Sequence, residues 1–426
     1  MKRTQNDEKP SKGRMSTRRE FLKGSGALAL TLPALARGQA AKAGQVPPRD
    51  PREPVLAYVG TYSSPQAPQE PGNGKGIYLV EMNPSTGDLR QREVFKNDQN
   101  PSWVSLHPSR KYLYCCNETE TYQGAASGSV SAYRIAQGSG RLELMNTVPS
   151  GGAGPAYLSV HPSGKYILVA NYGGGTAALL PVEPNGTLKP ASYIHHDEGQ
   201  VGPQHATSAP RGNFSISGHH HPHVHMFHAD PTGGRVVWTD LGLDHIFVAE
   251  INLEDGTLSP NSIRSFALPP GDGPRHFVFH HNGRWMYSVE EEGSTVVQWD
   301  YHEADGMLKK QQTLSTLPSG FAGTNFPSEV RITPDGRFLY VANRRHDSIA
   351  FFAIGREGRL SRIGEEWTRG DQPRSITIDP TGNFLYSLNQ HADAVTVFRI
   401  HRESGRLAFT GIYVPIGSPA CMVFLS

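Results

Sequence analysis

Pro155-Ala156-Tyr157-Leu158-Ser159-Val160-His161-Pro162-Ser163-Gly164-Lys165-Tyr166-Ile167-Leu168-Val169-Ala170-Asn171 reads as a short apolar strand, a polar Pro/Gly turn and a second apolar strand. The stretch from Pro327 to Asn343 repeats the pattern, and further copies begin at Pro101, Val224, Pro274 and Pro373. The starts lie 46 to about 70 residues apart, which suits one four-stranded blade with variable loops. A seventh copy is divided. Its first half is Pro419-Ala420-Cys421-Met422-Val423-Phe424, and its second half is Leu56-Ala57-Tyr58-Val59-Gly60-Thr61. A repeat cut in this way closes a ring when the two halves pair. The predicted fold is therefore all-β, a seven-bladed β-propeller over residues 54–426, closed by its N- and C-terminal strands. Blades cannot bury their faces alone, so the repeats form one domain despite the length. The 46 glycines and 33 prolines supply the turns that such a chain needs.

Ahead of the ring, Thr17-Arg18-Arg19-Glu20-Phe21-Leu22-Lys23 precedes an apolar run from Ala27 to Ala36 that ends in Pro33-Ala34-Leu35-Ala36. This resembles a twin-arginine export signal. The run is too short for an ordinary transmembrane helix. The expected division is a signal over residues 1–41, a flexible linker over 42–53 and the propeller after it. The expected partner is the twin-arginine export machinery, and the expected destination is a periplasm or the outside of the cell. Stable membrane insertion is not expected. The 41 basic and 39 acidic residues leave a net charge of +2, which argues against nucleic acid as a partner. Cys115, Cys116 and Cys421 lack metal-like spacing and read as buried apolar residues. A closed ring hides its own sheet edges, so a monomer is expected.

Aligning the copies with one another separates scaffold from chemistry. The turn glycine recurs as Gly164, Gly233, Gly283, Gly336 and Gly382. An aromatic recurs as Tyr58, Tyr114, Tyr287, Tyr340 and Tyr386, and reads as packing between blades. A strand-ending asparagine recurs as Asn117, Asn171, Asn343 and Asn389. Two registers vary instead. The second position of each copy holds Ser102, Ala156, His225, Arg275, Ser328, Arg374 and Ala420. The position after the asparagine holds Glu118, Tyr172, Leu241, Glu291, Arg344, Gln390 and, in the divided copy, Tyr62. Paired antiparallel strands return to the same face of the ring, so both registers are expected to crowd one mouth of the channel. Arginine forks there suit a carboxylate, a phosphate or a developing oxyanion. Histidine is the natural proton carrier, and glutamate can orient it or act as a base. No register offers a convincing serine nucleophile, so activated water is the simpler chemistry.

The same residues carry a family resemblance. Pro222-His223-Val224-His225, Asp240-Leu241-Gly242-Leu243-Asp244, Gly273-Pro274-Arg275-His276 and the run from Thr333 to Arg344 resemble the lactonase family of seven-bladed propellers. So do Tyr58-Val59-Gly60-Thr61-Tyr62 and Gly76-Ile77-Tyr78. That family includes propeller-type 6-phosphogluconolactonases and carboxymuconate lactonizing enzymes. The resemblance implies catalytic residues at His225, Arg275, Glu291 and Arg344; His223, Arg374, Glu118 and Tyr172, beside them in the motif or registers, are expected as further substrate contacts. It implies a small-molecule lactone or organic acid as partner and no cofactor. Glu291 is chosen from Glu290-Glu291-Glu292 by register. Twin-arginine export points away from phosphorylated cytoplasmic sugars and toward unphosphorylated or acidic lactones. A muconate-type cycloisomerase and a non-catalytic binding propeller are the alternatives.

A long polar insert from about Ser192 to His221 ends in His219-His220-His221. With His223, His225 and His228 it puts six histidines within ten residues. Strand alternation would set 221, 223 and 225 on one face. Such a run has the donors for a transition metal, yet no nearby acid or cysteine completes a zinc pattern. The expected state is a solvated, flexible loop with no assigned metal.

Overall fold

In the computed structural model, residues 53–65, 71–214 and 218–426 are described. The expected export signal, and the expected linker apart from Glu53, lie outside them. Seven antiparallel sheets follow one another, six with four strands and one with five. The extra strand arises where Arg264–Ala267 and the two-residue Thr257–Leu258 both pair with His245–Asn252. The innermost strands of the seven sheets are Trp103–Leu106, Pro155–Val160, Val224–Ala229, Pro274–Phe279, Phe326–Ile332, Pro373–Ile378 and Pro419–Leu425. Each packs beside the innermost strand of the next blade, and Pro419–Leu425 returns to Trp103–Leu106. Among the described residues the helix is confined to two single 3-10 turns, Pro260–Ser262 and Arg356–Gly358. No helix among them is long and apolar enough to cross a membrane.

The divided blade closes the ring. Val55–Thr61 pairs antiparallel with Pro419–Leu425, with Ala57 opposite Phe424 and Val59 opposite Met422. Val55, Ala57, Val59, Met422 and Phe424 pack in a core shared with Phe384, Tyr386 and Leu388 of the preceding blade. Closure thus buries apolar surface contributed by both ends of the repeat array.

The recurring aromatics do more than fill space. Their hydroxyls reach into the adjacent blade and donate to turn carbonyls. Tyr58 bonds Gly140 O at 2.7 Å, Tyr114 bonds Gly186 O at 3.1 Å and Tyr287 bonds Gly358 O at 2.8 Å. Tyr340 bonds Gly405 O at 2.8 Å, and Tyr386 bonds Gly87 O at 2.9 Å across the closure. Gly186 shows why glycine is used there. Its φ is +89°, and a Cβ would lie 2.4 Å from the Tyr112 ring. The recurring asparagines are buried and tie neighbouring strands together. Asn171 donates to Ser150 O and Thr176 Oγ1, and Asn343 donates to Thr316 O and Ser348 Oγ. All three cysteines are free and buried, and burial pushes the Cys115 and Cys421 thiols up to about 12.

Candidate active site

The two variable registers converge for a local reason. In six blades the innermost strand carries a β-bulge in its first turn of pairing. Pro155 and Tyr157 pair with consecutive partners, Asn171 and Ala170, and Ala156 between them is skipped. The same step skips His225, Arg275, Ser328, Arg374 and Ala420. A bulge re-aims its extra residue out of the pleat. The second register is anchored alongside. The backbone N–H of Tyr172, Leu241, Glu291 and Gln390 each donates to the carbonyl just before the bulge.

Tyr62, Ser102, Trp103, Ala156, His225, Arg275, His276, Arg374 and Ala420 line one small, tight cavity. A wider cleft is lined by Ser63, Gly74, Lys75, Lys96, Asn97 and Asp98. It holds no histidine or arginine, so the smaller cavity is the candidate site.

Arg275, Glu291 and Arg344 form one arm of the site. Glu291 Oε2 lies 2.8 Å from Arg275 Nε and 2.5 Å from Arg344 Nη2. Burial alone would raise the Glu291 carboxyl. Arg344, Arg275 and Arg374 outweigh burial and hold it below its ordinary value. Burial, then the Arg344 and Arg374 charges, pull Arg275 down to about 9, which leaves it cationic at neutral pH. Arg275 also donates to Ser328 O, and Arg344 Nε to Phe326 O at 3.3 Å. The three consecutive glutamates go to three places. Glu290 takes the structural asparagine position opposite Pro274, accepts from Ser288 Oγ at 2.6 Å, and burial raises its carboxyl well above the ordinary value. Glu291 reaches the arginines, and Glu292 turns to His219.

The other arm is Arg374, Tyr62, Glu118 and Ser102. Arg374 Nη2 donates to Tyr62 Oη at 2.7 Å, and Tyr62 in turn donates to Glu118 at 2.9 Å. Ser102 Oγ donates to the same carboxylate at 2.5 Å. Tyr62 and Ser102 stood in the registers, but nothing in their sequence context marked them as partners of Glu118.

His225 sits between the arms, 96 % buried, with no hydrogen-bond partner on Nδ1. Burial first, and then Arg275, His276 and Arg374, push it well below the usual histidine value. The ring is therefore neutral at pH 7 and keeps a lone pair. Tyr172 packs edge-on to it at 5.3 Å, and His223 stacks on Tyr172 at 4.2 Å. His223 Nδ1–H donates to Tyr172 O at 2.8 Å. Next to His225, at 5.0 Å, lies His276, which the sequence reading quoted in a motif but gave no role. Its Nδ1 is 3.4 Å from Glu329, a buried carboxylate also paired with Arg331 at 3.2 Å.

The expected histidine face over 221, 223 and 225 does not form. The strand begins only at Val224, and the bulge turns His225 into the cavity. His228 lies toward the opposite end of the strand, beside Pro231, Phe279 and His281. Most described residues of the insert between 198 and 214 are exposed coil, as its polarity suggests, but its two ends are built into the structure. Tyr193–His196 forms the outer strand of its blade. His219 is buried, 3.1 Å from Asp244 and 3.5 Å from Glu292. Asp244 also accepts the N–H groups of Gly271 and Gly273, at 2.6 and 2.8 Å.

Burial opposes charge on His219, but the two carboxylates prevail and raise it to about 10. A raised folded-state value stabilises fully below the unfolded value of about 6.5 and is lost as pH rises through about 10. The wild-type melting temperature is expected to fall over that window. His219→Gln should be less stable at pH 6, by roughly 3 kcal/mol for a broken buried pair, and should lose this slope. An unchanged slope in the variant would contradict the assignment.

Comparison with known proteins agrees with this architecture. The "Lactonase, 7-bladed beta-propeller" family matches residues 56–424. A 6-phosphogluconolactonase of Bacillus subtilis is 32 % identical over 372 residues, covering 87 % of this chain and 98 % of the relative. The structure described as the periplasmic gluconolactonase PpgL of Pseudomonas aeruginosa has a TM-score of 0.76 at 30 % identity, over 88 % of this chain and 99 % of the other. A putative 6-phosphogluconolactonase of Bacteroides fragilis has a TM-score of 0.77 at 30 % identity, with the same coverage. The chain belongs to the seven-bladed β-propeller lactonase family.

Proposed function

We propose that this protein is an exported lactonase that opens a sugar-type or acidic lactone with activated water at the channel mouth. The observation that carries the reading is His225, neutral and with an unpartnered Nδ1, in one cavity with Arg275 and Arg374. Water attacks the lactone carbonyl carbon while His225 takes one of its protons. The carbonyl oxygen becomes an oxyanion beside Arg275 and Arg344, which Glu291 positions. The ring C–O bond then breaks, and His225 returns the proton to the departing alkoxide. One water is consumed, and the hydroxy acid ionises to release one proton to solvent. Arg374, Glu118, Tyr172 and His223 receive the rest of the substrate.

Arg374 is the most exposed arginine of the set, suited to an anionic substituent. The export part of the reading rests on Arg18-Arg19 with its apolar run, and on likeness to a protein described as periplasmic. Acid release from neutral, carboxylated and phosphorylated lactones tests the substrate class. Arg374→Ala is expected to raise KM for acidic lactones about 10–100-fold, the worth of one charge-assisted hydrogen bond, and to spare neutral ones. Equal turnover of neutral and acidic lactones, unaffected by Arg374→Ala, would contradict the anionic class.

A further inference from the structure

We infer that His220, His221 and His223 form a binding site for a divalent transition-metal ion, of the zinc class, on the rim beside the candidate active site. One ring nitrogen from each of the three lies within 4.8 Å of the others. His223 Nε2 and His220 Nδ1 are 3.4 Å apart. Tetrahedral zinc with bonds of about 2.0–2.1 Å separates its nitrogen ligands by about 3.3 Å, so this pair already has the right spacing. The remaining ring, which lies over His223 with centroids 4.0 Å apart and planes 34° apart, has to turn as well as close, by about 1.5 Å at most, to complete that geometry.

The tautomers also fit. His223 Nδ1 donates to Tyr172 O at 2.8 Å, and His221 Nδ1 donates to Pro222 O at 2.7 Å. A carbonyl only accepts, so both rings carry their proton on Nδ1 and present the Nε2 lone pair. This is the arrangement in which a backbone carbonyl orients a metal-binding imidazole. The segment is held in place. Just before it, His219 is clamped between Asp244 and Glu292. Just after it, the His223 N–H donates to Asp240 Oδ1 at 2.9 Å. The donors are all imidazoles, which favours zinc, copper or nickel over calcium or magnesium. Three ligands leave a fourth position for water or an incoming group. His223 also stacks on Tyr172, so the ion would sit one aromatic ring away from His225.

The inference does not depend on the lactonase reading, and direct metal binding tests it. The purified full chain, stripped with a chelator, is titrated with zinc in a calorimeter, and bound metal is counted after dialysis. One equivalent per chain is expected. His220→Ala and His221→Ala should each weaken binding at least about tenfold, with the far-UV spectrum and melting temperature unchanged. His221→Ala is at a half-buried position and His220→Ala at an exposed one, so both variants should fold. Failure of the wild type to retain an equivalent of zinc would overturn the site, as would undiminished affinity in both variants.

Discussion

His225→Gln is expected to lower kcat/KM for lactone opening by about 10²–10⁴-fold, the usual contribution of a positioned general base. Glutamine keeps most of the volume and a polar end but cannot shuttle a proton. His225 Nδ1 makes no hydrogen bond among the described residues, so the substitution leaves no partner stranded. The melting temperature should therefore move little while activity collapses. The same residue sets the pH dependence. Its folded-state value is depressed, so the basic form persists well below pH 6.5. The acid limb of kcat/KM should lie below 6.5, where an ordinary histidine would place it, and should disappear with His225→Gln. Binding an anion beside Arg275 and Arg374 would offset two of the charges that depress the ring, making it more basic in the complex. The acid limb of kcat should therefore lie at higher pH than that of kcat/KM. A profile with its acid limb at or above 6.5 in the free enzyme would contradict the burial argument.

Arg275→Ala should cost about 10²–10³-fold in kcat, or roughly 2.7–4 kcal/mol, the range for losing one oxyanion donor. The loss has a structural side, because Arg275 also bonds Ser328 O and shares Glu291 with Arg344. Arg275→Lys separates the two roles. Lysine retains the charge but not the fork that spans Glu291 and the Ser328 carbonyl. If positioning matters, Arg275→Lys falls nearly as far in kcat as Arg275→Ala while remaining closer to wild type in stability. Recovery of full activity in Arg275→Lys would reduce Arg275 to a generic positive charge.

The ring was legible because a propeller repeats its own pattern. Seven copies of one strand pair, one of them divided, leave few other ways to bury the apolar faces. The convergence of the candidate residues was legible through the same comparison, since positions that vary among otherwise like repeats are not fixed by the shared scaffold. The bulge was not legible. It lies between Pro274 and His276, and equally between Val224 and Met226, with no sequence mark beyond the copies themselves. The strand starts only at Val224 and the extra residue re-aims His225, which is why the 221, 223 and 225 face does not form, while the register still placed His225 in the cavity. Long-range polar pairs were also hidden. Glu292 meets His219 across 73 residues, and nothing local distinguishes it from Glu290, which is buried beside Ser288, or Glu291, which meets two arginines. The same pairing explains why the end of the insert packs down. His219, buried between two carboxylates, anchors it, while most described residues between 198 and 214 stay exposed.

Acid release from a lactone by purified wild type, His225→Gln and Arg275→Ala is the most direct measurement of the central claim. Hydrolysis by the wild type and its loss in both variants are expected, with all three proteins folded. No release by a folded wild type, or release that survives both substitutions, would contradict it.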